Sequence, residues 1–139
     1  MSERRILIVD DEATIRTLLR HTVSGPGIGL FEADSAERAL ECAAEHAPFD
    51  LVIADVMMPG MDGVELAFRL REQGSARRFL FISGFCDRQS LESRIAGLEA
   101  QFLAKPFSIP ELIRVVRATL EESRAGRLNG ARPRRRTSR

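Results

Sequence analysis

The sequence predicts an α/β fold: a parallel five-stranded sheet with helices on both faces. Three observations predict it. Short apolar runs alternate with helical patterns along the body of the chain. The clearest runs, Ile6-Leu7-Ile8-Val9 and Leu51-Val52-Ile53-Ala54, are continuous rather than alternating, as in strands buried on both faces. Each run is followed by a helical stretch long enough to carry the chain back for another parallel strand.

Ile6 to Val9 opens the series. A helix follows from Ala13 to Val23, with Ile15, Leu18, Leu19 and Val23 along one side. Ser24-Gly25-Pro26-Gly27 ends it. Ile28 to Ala33 is a weaker strand. Asp34 and Ser35 are cap candidates for an alanine-rich helix to Glu45, with Pro48 just past its end. The third strand spans Asp50 to Ala54 and runs into Asp55. Pro59-Gly60-Met61-Asp62-Gly63 is a turn in which Asp62 can cap a helix from Gly63 to Glu72. Phe79 to Ile82 is the fourth strand, Arg88 to Ala96 the fourth helix and Gln101 to Ala104 the fifth strand. The last helix runs from Ile109 to Glu122, with Leu112, Ile113, Val116 and Leu120 as its buried stripe. Right-handed crossovers leave few topologies. The flavodoxin-like (βα)5 order, 2-1-3-4-5, puts a ligand site beyond the carboxyl ends of strands 1 and 3.

Composition narrows the class. A chain of 139 residues with 44% hydrophobic content holds one globular domain. No apolar run reaches the ~20 residues of a membrane helix, and the start of the chain lacks a secretory pattern, so a cytoplasmic location is expected. Cys42 and Cys86 lack metal-ligand spacing and read as packing residues. The net charge of +1 hides an asymmetry: taking the seven arginines of residues 124–139 from 21 basic residues leaves 14 against 20 acids, a body of −6. Only one of the 21 basic residues is a lysine, Lys105.

Chemistry gathers at the carboxyl ends of the strands. Strand 1 ends in Asp10-Asp11, strand 3 in Asp55, strand 4 in Ser83 and strand 5 in Lys105-Pro106. With strands 1 and 3 as neighbours about 4.8 Å apart, three carboxylates share one shallow pocket. Such carboxylates repel one another unless a hard divalent cation joins them. Aspartate is also a nucleophile able to form an acyl phosphate, and phosphoryl transfer asks mainly for positioning and charge stabilisation. Ser83 and Lys105 can supply a hydroxyl and an ammonium. Singly, each of these residues reads as a helix cap, a turn or a surface charge; together at successive strand ends they read as a site.

From Arg5 to Leu120 the chain resembles the response-regulator receiver family of two-component signalling. The resemblance rests on ILIVDDE, DLVIADVMMPGMDGVEL, FLFISGF and FLAKPF. It implies that Asp55 is the phosphoacceptor in a phosphorelay and that Asp11, Asp55 and the backbone carbonyl of Met57 bind Mg²⁺, or Mn²⁺, directly. Asp10 would act through one of the ion's waters. It implies a phosphoryl-binding role for Ser83, with Lys105 as its partner, a cis peptide at Lys105–Pro106, and an inward-turning switch aromatic at Phe102. A compact ammonium can follow an oxyanion into a tight pocket where a planar guanidinium is too wide, which accounts for the single lysine among arginines. Met57 and Phe85, two past the phosphoacceptor and two past Ser83, would flank the path of a hydrolytic water. Neither can orient one, so slow self-dephosphorylation is expected. The stretch 96–101 is one residue longer than the family pattern.

The resemblance implies a phosphoacceptor switch rather than an enzyme, with a sensor histidine kinase or a histidine phosphotransfer protein as donor and a protein target downstream. Only 17 residues follow Glu122, which points to a stand-alone receiver over 1–123 without a DNA-binding output domain. The tail, 124–139, combines Gly and Pro with a run of arginines and is expected to be disordered. Its charge could meet nucleic acid or an acidic partner, but a solvated linker stub is the favoured reading. The mixed charges of Arg94, Glu111, Arg114 and Arg117 fit a monomer or a phosphorylation-dependent dimer. Two rival readings carry sequence objections. An aspartyl-phosphate hydrolase of haloacid-dehalogenase type needs a second Asp where Met57 stands. A flavodoxin-like cofactor binder needs a phosphate-cradling loop where Asp10-Asp11-Glu12 would repel a phosphate.

Overall fold

The computed structural model describes residues 3–84 and 88–128, with side chains for all of these except 88 and 122–128. Strands and helices alternate: β1 (Arg4–Val9), α1 (Ala13–Val23), β2 (Ile28–Ala33), α2 (Ala36–His46), β3 (Leu51–Asp55), α3 (Gly63–Glu72), β4 (Arg78–Ser83), α4 (Arg88–Arg94), β5 (Glu99–Ala104) and α5 (Ile109–Leu128). The sheet is parallel throughout, in the order β2-β1-β3-β4-β5. The expected flavodoxin-like arrangement is therefore the observed one.

The continuous apolar runs explain the layering. Successive residues of a strand face opposite sides, so a strand covered on both faces must be apolar at every position. Leu7, Val9, Val52, Ala54, Phe79 and Phe81 pack into one core together with residues of α2, α3 and α4. Ile6, Ile8, Leu51, Ile53, Leu80 and Ile82 pack into the other with Leu19 and Val23 of α1 and Leu112 and Val116 of α5. The alanines of α2 that meet the sheet, Ala36, Ala39 and Ala43, are short, so this helix can lie close to it.

Capping fixes where two helices begin. The Ser35 hydroxyl accepts a hydrogen bond from the Arg38 N–H at 3.1 Å. Asp62 accepts from the N–H groups of Val64 and Glu65 while Glu65 reaches back to the Asp62 N–H, a complete capping box at the start of α3.

Several boundaries differ from expectation. β1 and β5 each begin two residues early and β4 one residue early, because Arg4, Arg5, Arg78 and Glu99 continue the backbone ladders as charged residues at the sheet's rim. α4 stops at Arg94 rather than Ala96, and Gly97 follows with φ +97°, a backbone angle that ends a helix and suits glycine. The one-residue extension at 96–101 falls in this turn and at the start of β5. α5 runs six residues past Glu122, so residues 124–128 of the expected disordered tail are helical. Arg124, Ala125, Arg127 and Leu128 are good helix formers, and arginines suit a helix's carboxyl end. Residues 129–139, Phe85 and Cys86 lie outside the described residues. Cys42 is half-buried against the first core, and burial pushes its thiol pKa up. Among the described residues no helix is long and apolar enough to cross a membrane.

Candidate functional site

The sheet's register carries the acids to one place. The β1–β3 ladder ends on the pair Val9 and Ala54, so Asp10 and Asp55 leave adjacent strands side by side. Asp10 and Asp55 are buried and Asp11 is exposed, and one carboxylate oxygen from each of the three lies within 4.8 Å of the others. On the next strand over, Ser83 closes β4, and its carbonyl accepts the Lys105 N–H at 2.9 Å. Lys105 follows the last residue of β5, and its peptide bond to Pro106 is cis.

Lys105 reaches back across the cleft. Its Nζ donates to Asp55 Oδ2 at 3.0 Å and lies 3.5 Å from Glu12 Oε1 and 3.9 Å from Asp10 Oδ2. Burial by itself would lower the lysine's pKa. The hydrogen bond and charge of Asp55, with the charges of Asp10 and Glu12, outweigh it and hold the ammonium above its ordinary value. The other Asp55 oxygen, Oδ1, accepts the Met57 N–H at 2.9 Å. Both phosphoacceptor-candidate oxygens are thus held, one by a main-chain donor and one by the amine.

Asp10 is in the opposite condition. Its Oδ1 accepts the Glu12 N–H at 2.9 Å, but its Oδ2 is buried without a hydrogen-bond partner. Burial is the main cause that pushes its carboxyl pKa up to about 6, and the charges of Asp55 and Asp11 push the same way. The Glu12 N–H and the Lys105 ammonium only partly oppose this. Ser83 Oγ is likewise buried without a partner. Orphaned buried polar atoms are uncommon and call for an explanation. Here they flank a cluster made of oxygen donors alone, the donor set a hard divalent cation prefers. The residues therefore fit Mg²⁺: Asp10, Asp11, Asp55 and the Met57 carbonyl are the candidate holders.

Phe102, opposite Phe81 in the β4–β5 register, is half-buried against the first core. Met57 is 60% exposed beside Asp55. The structure thus brings together Asp10, Asp11, Asp55 and Lys105, with Ser83 on the strand between Asp55 and Lys105. Phe102 is farther back along β5.

Three contributors went unnoticed in the sequence. Glu12 shares Lys105 with the aspartates; its signal was the third acid of Asp10-Asp11-Glu12. Arg16 of α1 donates to the Asp10 carbonyl at 2.7 Å, and nothing in the local pattern marks it. Gly63 is the third. A Cβ there would stand 2.3 Å from the Asp55 carbonyl oxygen and 3.2 Å from Val56 Cα, so only glycine lets the start of α3 close onto the end of β3. Its N–H also bonds the Val56 carbonyl at 3.1 Å.

The family model described as the response regulator receiver domain matches residues 6–117. The response regulator MprA of Mycobacterium sp. (strain KMS) is 38% identical over 122 residues, covering 86% of this chain and 51% of the relative, and that of Mycobacterium leprae is 37% identical over 123 residues. The chain spans about half the length of these curated relatives. Among solved structures, Vibrio cholerae chemotaxis protein CheY4 is similar with TM-score 0.75 and 28% identity, over 86% of this chain and 100% of that one. The receiver domain of Francisella response regulator 1452 is similar with TM-score 0.74 and 26% identity, over 87% and 99%.

Proposed function

The chain belongs to the response regulator receiver domain family, and on that premise we propose that Asp55 accepts a phosphoryl group from a phosphohistidine donor, a sensor histidine kinase or a histidine phosphotransfer protein. The observation that carries the reading is the pairing of Asp55 with Lys105 at 3.0 Å beside two buried polar atoms without hydrogen-bond partners, Asp10 Oδ2 and Ser83 Oγ. Those atoms are where a cation and a phosphoryl oxygen would find their partners.

Asp10, Asp11, Asp55 and the Met57 carbonyl would hold Mg²⁺. When bound, the ion neutralises charge on the phosphoryl oxygens. An Asp55 carboxylate oxygen forms the new bond to phosphorus. The donor's P–N bond breaks, and its electron pair returns to the imidazole ring. The Lys105 ammonium leaves its carboxylate contact to pair with a phosphoryl oxygen, and the Ser83 hydroxyl donates to another. Those two pulls act at the ends of β4 and β5, and half-buried Phe102 on β5 is the candidate to follow them inward. The altered surface is then read by a protein target. Met57 has no group that could orient a hydrolytic water, so the acyl phosphate should decay slowly; a half-life of seconds for the isolated phosphoprotein would overturn that point.

Incubation with acetyl phosphate and Mg²⁺, followed by mass spectrometry of the intact chain, tests the reading. A labile gain of one phosphate is expected in the native chain and none in Asp55→Ala. Label retained by Asp55→Ala, or no label with the ion present, would refute it.

A further inference from the structure

We propose that Arg16 is a positioning residue for the divalent-ion site, holding the Asp10–Asp11 peptide in place through its carbonyl; the inference rests on the function proposed above. The Asp10 carbonyl belongs to the peptide unit that joins two of the three clustered aspartates, so its orientation sets where both side chains leave the backbone. Arg16 Nη1 donates to that carbonyl at 2.7 Å. The guanidinium is itself fixed from behind: its Nε lies 3.5 Å from Glu32 Oε1 on β2. Glu32 in turn is anchored through its other oxygen to Arg20 Nη1 at 2.7 Å. The Asp10 N–H is bonded to the Ala33 carbonyl, one residue along β2 from Glu32, at 3.2 Å. The peptide bonds on both sides of Asp10 are therefore tied, one to β2 directly and the other to β2 through Arg16.

This brace explains how a partly exposed loop holds acids against their mutual repulsion. Without it, the carbonyl between Asp10 and Asp11 could rotate, and the carboxylates could relax apart. Arg16 contacts the peptide rather than the carboxylates, so it leaves their oxygens available to a cation. Guanidinium geometry matters, because two of its nitrogens serve two acceptors in different directions. Groups that orient metal ligands commonly affect affinity about 10- to 100-fold.

Binding of Mn²⁺ to the full unphosphorylated chain, followed by the electron paramagnetic resonance of the free ion, provides the test. Arg16→Gln should weaken Mn²⁺ by about tenfold. Arg16→Lys, with one point donor for two acceptors, should also bind more weakly than the native chain. Arg20→Gln loses only the outer anchor of Glu32 and leaves the Arg16 bond to the Asp10 carbonyl in place, so it should weaken Mn²⁺ much less than Arg16→Gln does. Thermal unfolding with and without Mg²⁺ separates positioning from bulk stability: the rise in Tm on adding the ion should shrink in Arg16→Gln. If that variant fails to fold, Arg16→Lys decides. Native affinity in the Arg16 variants, alongside weak binding in Asp11→Asn, would overturn the inference alone. No Mn²⁺ uptake by the native chain, or none lost in Asp11→Asn, would instead bring down the proposed function.

Discussion

The two rims of the sheet handle charge in opposite ways. At the amino ends of the strands, charged groups are matched. Asp50 accepts the Arg5 N–H at 2.9 Å, Arg4 donates to the Leu120 carbonyl at 3.0 Å, and Glu99 sits between Arg77 and Arg78. One nitrogen of Arg78, Nε, makes no bond, but Glu99 neutralises the group as a whole. At the carboxyl ends four acids, Asp10, Asp11, Glu12 and Asp55, gather about one ammonium, and both Asp10 Oδ2 and Ser83 Oγ are buried without hydrogen-bond partners. A fold selected only for stability would not leave the second rim so. Withheld compensation marks the functional end, and it can be probed by asking which rim affects chemistry and which affects stability alone.

The largest effect should come from Lys105→Arg. The charge is kept, so a purely electrostatic role would survive. The compact ammonium of Lys105 donates to Asp55 Oδ2 at 3.0 Å, and a planar guanidinium, wider and with its donors in a rigid fork, would place its donors elsewhere. The initial rate of labelling by acetyl phosphate should fall by about 10²-fold, the usual consequence of losing one aligned donor to a developing oxyanion. A rate within threefold of the native chain would mean that charge alone matters at this rim.

Asp10 should set the next largest effect, and its sign is informative. Its folded-state pKa is raised from 3.8 to about 6. The folded state therefore holds this proton more tightly than the unfolded chain does. The associated stability is fully present below about pH 3.8 and is lost as pH rises through about 6. The span corresponds to roughly 3 kcal/mol at most. Without divalent ions, Asp10→Asn should flatten this component of the pH dependence and stabilise the chain near neutrality, while weakening Mg²⁺. Denaturant titrations at pH 5 and pH 7.5 in EDTA, repeated with Mg²⁺, measure both. A variant less stable than the native chain at pH 7.5 without the ion would show that the rim is already compensated.

Gly63→Ala tests the backbone that supports the site. The added methyl meets a carbonyl rather than a flexible side chain, so β3 and α3 must separate. Overpacking of this kind typically costs about 1–3 kcal/mol. The loss should appear in denaturant midpoints and also in labelling at Asp55, since the displaced carbonyl is that of the acceptor itself. A midpoint unchanged from the native chain would mean the loop moves freely.

What was legible in the sequence divides along similar lines. The five strands were visible because double-sided burial forces unbroken apolar runs, as in Ile6 to Val9. Asp10, Asp55, Ser83 and Lys105 were visible because a parallel sheet turns the last residue of every strand toward one rim. Asp62 announced its helix because a capping box is local. Arg4, Arg5 and Glu99 did not look like strand residues, since charge at a sheet rim is decided by ladder partners elsewhere in the chain. Gly63 and Arg16 were hidden for the same reason: one answers to the Asp55 carbonyl eight residues away, the other to a β2 glutamate sixteen residues on. The extension of α5 to Leu128 was obscured by Gly126 and by the weight of arginine in the tail.

The smallest effect should fall on the matched rim, where Glu99→Ala provides the reciprocal test. Glu99 is 47% exposed at its side chain, and its partners Arg77 and Arg78 differ, at 73% and 17%. Screening leaves an exposed pair worth little, so losing the contact to Arg77 should be nearly neutral. Arg78 is the partner that matters, because removing Glu99 leaves its half-buried guanidinium less well matched. The total should still be at most about 1 kcal/mol. Raised salt should narrow the gap between variant and native chain, since screening already weakens the native pair. Labelling at Asp55 should be unchanged, because Glu99 and Lys105 stand at opposite ends of β5. A fall in labelling without a comparable loss of stability would mean that the amino rim is coupled to the site through β5, and the division between the two rims would fail.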